Sequence, residues 1–368
     1  MDPSDLDIWH MRRALELAVQ GQGHVEPNPM VGCVIVEGAE VIGQGWHRRF
    51  GQPHAEIEAL QLAGDRAAGA TMIVTLEPCC HQGKTPPCTR AIIDAGISRV
   101  VVAQRDPFPE VGGRGVAQLE AAGIEVAVGV LEAEARKLNA PYLKLLETGR
   151  PWIIAKWAMT LDGKTATATG SSRWISNPES RRIVHALRGR VDAIMVGRRT
   201  VKQDDPLLTA RPPGPRTALR VVADTHASLD SESQLVRTAQ DVPVLVAAGP
   251  EAPKVDRDRL AASGCEVFVC EGASPADRLG TLLDELGRRR MTNVLVEGGG
   301  RLAGSLLDER QIDEVHVFVA PKLVGGAEAP TPVAGHGLGQ MSQALLLDEV
   351  QVEQVGSDVY LHGRVVPA

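Results

Sequence analysis

TMIVTLEPCCHQGKTPPCTRAIIDAGISRVVVA, residues 71–103, carries a strand pattern, a cysteine-rich loop, a helix pattern and a second strand pattern in one run. The apolar stretch 71–76 predicts a strand, 88–95 a helix and 99–103 (RVVVA) another strand. The same alternation extends outward in both directions. Upstream, a helix is expected from about His54 to Leu62 and an apolar strand over 31–36 (VGCVIV). Residues 7–20 place Ile8, Met11, Leu15, Leu17 and Ala18 close to one helical stripe. Downstream come a helix at 115–122, a strand at 124–128 and a helical stretch at 131–147. Strands alternating with helices imply an α/β domain whose sheet is covered on both faces.

Gly149-Arg150-Pro151 then breaks the pattern, so the boundary is set there: one domain over 1–148, a second over 149–368. The second opens on a strand, PWIIAKWAM, and continues as α/β with strands expected at 192–196, 219–223, 243–247, 265–269, 293–296 and 314–319. It ends differently, with two antiparallel strands at 347–355 and 358–366 around Gly356-Ser357-Asp358.

At 368 residues the chain suits two domains, and its 43% hydrophobic and 23% charged residues are globular composition. Aromatics are 3%, so the cores must be aliphatic. A net charge of -7 argues against nucleic acid or an anionic membrane as partner, since both demand a basic face. No stretch approaches the roughly 20 apolar residues of a membrane span, and the N-terminus has no signal-peptide core. Six cysteines (Cys33, Cys79, Cys80, Cys88, Cys265, Cys270) do not make a disulfide framework; three crowd within ten residues, which in a reducing compartment reads as metal chemistry. A cytoplasmic location is expected.

His54-Ala55-Glu56 and the later Pro78-Cys79…Cys88 carry that chemistry. Zinc favours imidazole and thiolate, and a catalytic zinc keeps one of its four positions open. His54, Cys79 and Cys88 supply three ligands. Glu56, two residues after the histidine, sits beside the metal without ligating it, placed to move a proton between the attacking water and a departing amine. Zinc nucleobase deaminases carry His-x-Glu followed by Pro-Cys-x-x-Cys; here the second cysteine comes nine positions after the first. Cys80 is the rival ligand, and a closed structural knuckle using Cys80 or His81 is the competing reading, although it leaves Glu56 unexplained.

EPNPMVGCVIV, HAEIEAL and TLEPCCHQGKTPPC resemble the deaminase half of the bifunctional riboflavin biosynthesis family RibD. Two positions depart from that pattern: Glu26 replaces the usual histidine before Pro-Asn-Pro, and Cys80 a common serine. The resemblance implies a cytidine-deaminase-like three-layer α/β/α domain and substrate contacts at Asn28, His47, His81 and Lys84. An amide can pair with a pyrimidinone edge and a cation can meet a ribose phosphate. Turn formation at Asn28 and solvated surface at His47 and Lys84 are the plainer alternatives.

NVLVEGGGRLAGSLLD, 293–308, reads as strand, glycine turn and helix, a shape that lets backbone N–H groups approach a pyrophosphate. It lies far from the first strand, where a Rossmann fingerprint belongs, so alone it is equally a tight turn. KWAMTLDGKTAT, SSRWISN and VGRRTVKQDDPLLTAR resemble the RibD reductase domain, similar in fold to dihydrofolate reductase. That resemblance implies NADPH contacts at Ala158, Trp174, Thr200, Asp204, Thr225, Gly299, Gly300, Arg301, Leu302, Ala303, Gly304 and Ser305. It implies ribosyl-substrate contacts at Ser172, Arg188, Leu208, Arg211 and Glu297. Arg188 and Arg211 suit a phosphate through paired N–H donors; surface arginine is the alternative for each. Asp204 is the candidate for proton handling at the ribose, and Lys156 is a further polar candidate that could instead pair with a buried carboxylate.

The expected chemistry is zinc-dependent deamination of a diaminopyrimidinone ribosyl phosphate, then NADPH-dependent reduction of the ribosyl group to ribityl, in a homo-oligomer. NADPH over NADH rests on the resemblance alone. The rivals are a deaminase with a silent second domain, a nucleic-acid-editing deaminase and a zinc-stabilised interaction protein. Acidity and few aromatics weigh against the second of these.

Overall fold

Residues 3–82 and 86–366 are described by the computed structural model, in which the chain divides into two units, Met1–Thr148 and Gly149–Ala368.

The first unit holds α1 (Pro3–Val19), β1 (Gly32–Glu37), β2 (Glu40–Trp46), α2 (Ala55–Ala63), β3 (Thr71–Val74), α3 (Cys88–Asp94), β4 (Arg99–Val102), α4 (Arg114–Ala121), β5 (Glu125–Val128), α5 (Glu132–Leu138) and α6 (Ala140–Thr148). Its five-stranded sheet runs β2-β1-β3-β4-β5; β1 is antiparallel to both neighbours, and β3, β4 and β5 are parallel. Alternate residues of each strand face opposite layers. Ile35, Met72, Val74, Val100 and Val102 meet α2, α3 and α4 through Ala59, Ala63, Ile92 and Leu119. Val34, Val36, Ile73 and Val101 meet α1 and α5 through Met11, Ala14, Leu17 and Ala135. The central strands β1, β3 and β4 read as continuous apolar runs because both their faces are buried.

Two features depart from the expected pattern. Glu40–Trp46 is a strand despite its glycines, because α2 packs against them. A Cβ at Gly43 would lie 2.3 Å from the Ala59 carbonyl oxygen, and one at Gly45 2.5 Å from Glu58 Cβ. The helical stretch 131–147 is two helices, interrupted at Asn139, whose amide accepts from Met30 N at 2.8 Å and donates to Met30 O at 2.9 Å. Holding that distant backbone takes Asn139 out of helical use.

The second unit contains β6 (Trp152–Thr160), α7 (Pro178–Arg188), β7 (Ala193–Gly197), α8 (Arg198–Asp204), β8 (Leu219–Ala223), α9 (Gln234–Arg237), β9 (Val244–Ala248), α10 (Lys254–Ala262), β10 (Glu266–Val269), α11 (Pro275–Arg288), β11 (Asn293–Glu297), α12 (Gly300–Asp308), β12 (Glu314–Ala320), β13 (Leu347–Val355) and β14 (Asp358–Val365). The nine-stranded sheet runs β10-β9-β8-β7-β11-β6-β12-β14-β13. It is parallel from β10 to β12, and β14 and β13 close it antiparallel. Because β11 enters between β7 and β6, the chain reverses its direction of travel across the sheet there. In such sheets ligands bind beyond the carboxyl ends of the strands near the reversal. No helix among the described residues is long and apolar enough to cross a membrane.

Candidate active sites

His54 stands at the N-terminus of α2 in extended backbone, with Glu56 in the helix's first turn. Cys79 follows β3, and Cys88 opens α3 after Pro87. The β3–α3 connection thus brings two cysteines back over the start of α2. His54 Nδ1 lies 3.5 Å from Cys79 Sγ and 3.3 Å from Cys88 Sγ, and all three ligand atoms fall within 4.8 Å of one another. Tetrahedral zinc with bonds of about 2.0–2.3 Å spaces its nitrogen and sulfur ligands about 3.5 Å apart. The three atoms fit that ion. The Cys79 thiol is held far below its usual range, chiefly by the bond from the Cys88 thiol and against the effect of burial; Cys88 is correspondingly raised. A ready thiolate is what a zinc ligand requires.

Glu56 is buried, and its Oε2 has no hydrogen-bond partner. Burial raises its carboxyl above the ordinary range. An unpartnered buried carboxylate oxygen is costly unless a ligand or water meets it, so its place beside the ligand set suits a proton carrier. Cys80 points elsewhere, its thiol 3.8 Å from the Glu110 carbonyl, and it does not join the three-ligand group. Glu26, buried, accepts from Gly23 N at 2.9 Å and so ties its own turn together.

Of the expected substrate contacts, His47 and Asn28 adjoin the cluster. The rings of His47 and His54 are 5.2 Å apart, and Asn28 Nδ2 is 3.4 Å from His47 Nε2. His47 is buried, which lowers its pKa, and its Nδ1 faces the Pro53 carbonyl at 3.1 Å. His81 packs on Phe108, ring centres 5.9 Å apart, and approaches Glu110 at 3.9 Å. Lys84 lies outside the described residues. Glu77 went unread in the sequence, yet its buried carboxylate accepts from the backbone N–H groups of Asp106, Gly113 and Val116. It thereby ties residues 106–116, which include the Phe108 that packs on His81, to the start of the cysteine loop. An acid closing an apolar strand was the available signal.

The second unit opens a cavity of about 1820 Å³ at the carboxyl ends of β7, β8, β9 and β11. Single-ligand pockets are about 300–1,000 Å³, so this one has room for a dinucleotide and a second molecule. Gly298 (φ 72°) and Gly299 (φ 85°) form the turn into α12, and a Cβ on Gly300 would come within 2.7 Å of the Thr331 carbonyl. Their missing side chains keep the backbone N–H groups at the start of α12 open to an anion. A pyrophosphate fits there.

Ala158, Ser172, Trp174, Thr200, Asp204, Arg211, Thr225, Gly299, Gly300, Arg301, Leu302 and Ser305 line this cavity. Ala303 and Gly304 face inward instead: Ala303 is buried, and a Cβ on Gly304 would strike the Ala334 carbonyl at 2.0 Å. Leu208 is buried in the core. Asp204 Oδ1 accepts from Ser172 Oγ at 3.1 Å. Glu297 lies beneath the cavity, its carboxylate gripped by Arg188 at 2.6 and 2.9 Å and by Lys156 at 3.3 Å. Burial alone would raise this carboxyl, but Arg188 and then Lys156 outweigh it and bring the pKa to about 2. Arg188, expected to meet a phosphate, lines the cavity as Arg211 does, with its Nε and Nη2 on Glu297 and its Nη1 3.4 Å from the Thr209 carbonyl; Arg211 is the more exposed of the two. Lys156 takes the second of its two readings and pairs with a buried acid.

A model of the cytidine and deoxycytidylate deaminase zinc-binding region matches residues 4–104, and one of the RibD C-terminal domain matches 151–361. The riboflavin biosynthesis protein RibD of Synechocystis sp. is 45% identical over 353 residues, covering 96% of this chain and 94% of that one. Among solved structures, Acinetobacter baumannii RibD matches with a TM-score of 0.85 and 37% identity over 99% of this chain and 100% of its own. The diaminohydroxyphosphoribosylaminopyrimidine deaminase/5-amino-6-(5-phosphoribosylamino)uracil reductase of Thermotoga maritima matches at 0.84 and 36%, over 99% of each.

Proposed function

This chain belongs to the riboflavin biosynthesis family RibD, and from that premise we propose how its residues divide the work of two reactions. It is a bifunctional enzyme of riboflavin biosynthesis, with a zinc-binding deaminase unit and a reductase unit that uses NADPH as the family does. The substrates are those in the Thermotoga relative's name. Water displaces a ring amine of diaminohydroxyphosphoribosylaminopyrimidine as ammonia; the resulting 5-amino-6-(5-phosphoribosylamino)uracil takes up a hydride and a proton to become the ribityl compound.

Residues 1–148 carry the deamination. His54, Cys79 and Cys88 would hold zinc, which when bound would supply the Lewis acidity that makes water nucleophilic near neutral pH. Glu56 takes the proton of the attacking water and returns it to the leaving amine. Asn28, with His47 behind it, pairs with the pyrimidinone edge, and His81 closes the opposite side. Lys84 is assigned to the ribose phosphate on the family resemblance alone.

Residues 149–368 carry the reduction. NADPH, when bound, supplies the hydride for C1′. The turn at Gly298–Gly300 and the start of α12 hold its pyrophosphate; Ala158, Trp174, Thr200 and Thr225 line the remainder of the coenzyme's path, with Arg301, Leu302 and Ser305 on α12. Ala303 and Gly304 act by letting α12 pack closely. Asp204, oriented by Ser172, delivers the proton that balances the hydride. Arg211 meets the phosphate, while Arg188, Glu297, Lys156 and Leu208 fix the floor beneath the ribosyl group.

The observation that carries this reading is the meeting of His54, Cys79 and Cys88 beside the unpartnered, buried Glu56 oxygen. A cytoplasmic location fits six free cysteines. A homo-oligomer fits β13, a nine-residue edge strand with no buried residue, since long open edges are normally paired or covered; light scattering reads that state directly. The test of function follows ammonia release from the diaminopyrimidine and NADPH oxidation in parallel. Both should occur in the zinc-loaded wild type and both should vanish in Glu56→Gln, with oxidation restored by adding the deaminated product. No ammonia from the wild type would overturn the deaminase assignment, and ammonia without oxidation would overturn the reductase one.

A further inference from the structure

Arg220, on β8, is the largest fully buried side chain among the described residues, at 0% exposure. Burying a guanidinium is expensive, and a carboxylate normally accompanies it. Among the described residues none is bonded to Arg220. Its hydrogen-bond acceptors are instead the Leu207 carbonyl at 3.2 Å, Thr238 Oγ1 at 2.8 Å, the Thr238 carbonyl at 3.0 Å and the Val242 carbonyl. Burial lowers its pKa to about 10, which leaves it charged at neutral pH. An aliphatic side chain would fill this space at no such cost. What the guanidinium adds is a rigid planar fork that fixes the directions of several carbonyls at once.

One of those carbonyls belongs to the cavity wall. Asp204, Asp205, Leu207 and Arg211 all line the cavity, and the backbone between them is unusual: Asp205 (φ 41°) and Leu208 (φ 52°) both occupy the left-handed region. Non-glycine residues stay there only where their surroundings over-determine them. Two restraints do so. Gln234 donates from its backbone N to Asp205 Oδ1 at 2.8 Å and from Nε2 to the Asp205 carbonyl. Arg220 holds Leu207, between the two left-handed residues. Thr238 joins the restraints, accepting from Arg220 and donating to the Gln234 carbonyl at 2.6 Å.

We propose that Arg220 is a positioning residue of the reductase site, fixing the backbone of 205–208 so that Arg211 stands where the ribosyl phosphate binds. The proposal rests on the reductase reading above. It separates the two ligands of the cavity, because the glycine turn and α12 lie on other elements and make no bond with Arg220.

The test uses the full-length, zinc-loaded chain carrying Arg220→Lys, which keeps the charge but loses the fork. KM for 5-amino-6-(5-phosphoribosylamino)uracil should rise by about tenfold or more, as displaced binding groups typically cause. The NADPH Kd, read by fluorescence quenching, and ammonia release by the other unit should stay at wild-type values. An unchanged KM overturns the proposal, whatever happens to kcat, because loss of folded enzyme lowers kcat alone. A KM and Kd that worsen together also overturn it, as the mark of general damage. Should R220K bind no NADPH at all, Arg220→Gln, which loses both the charge and the fork that holds Leu207, is read by the same two constants; a wild-type KM there overturns the proposal. Wild-type enzyme that oxidises no NADPH overturns the reductase reading and this proposal with it, whereas normal wild-type oxidation with an unmoved KM in R220K overturns only the role of Arg220.

Discussion

The proposed proton transfer at Glu56 hangs on one oxygen atom. Glutamine there keeps the shape and loses the proton, so ammonia release should fall by about 10²–10⁴-fold, while zinc per chain, measured by atomic emission, stays unchanged. Cys88→Ser should lose the zinc itself. Cys80→Ser should keep both zinc and turnover, because that thiol faces Glu110 and not the cluster. Glu297 gives a prediction of another kind. Its pKa falls from an ordinary 4.5 to about 2, so the stability it contributes is fully present above pH 4.5 and is lost as pH falls towards 2. Glu297→Gln strands Arg188 and Lys156 together, and should cost about 3–5 kcal/mol while flattening that acid limb, both read by denaturant unfolding across pH. The grouping of His54, Cys79 and Cys88 beside Glu56 was legible in the sequence because ligand chemistry fixes residue types at short spacings. The Arg188–Glu297–Lys156 arrangement was not, since its members stand 109 and 141 positions from Glu297 and meet only through the strand order.

The helices and strands divide in the same way. Strands with both faces buried announce themselves as largely apolar runs, and 192–196, 219–223 (with Arg220 as its one charged residue), 243–247 and 293–296 all stand as strands close to their expected limits. Glu40–Trp46 does not, because its glycines answer to a neighbouring helix that no local pattern reveals. Gly43→Ala should therefore force β2 and α2 apart and destabilise the first unit by about 1–3 kcal/mol, seen as an earlier thermal transition in the zinc-loaded protein. The divided helix at Asn139 was equally hidden, since its cause is a backbone 109 residues away.

Across the whole molecule, each unit has its own sheet, core and site, so ligands should act on them one at a time. Chelating the zinc should abolish ammonia release and leave NADPH oxidation of the deaminated substrate intact. NADPH at 100 times its Kd should stabilise only the second unit, by about 2.7 kcal/mol, visible as a shift of one calorimetric transition and not the other. The 1820 Å³ cavity also bears on inhibition. A compound joining a nicotinamide-like head to a ribityl phosphate would occupy both halves of the cavity in a single association. Its second half would dock at an effective concentration set by the tether and not by the dose, so two weak fragments suffice for a tight blocker where either alone would wash out.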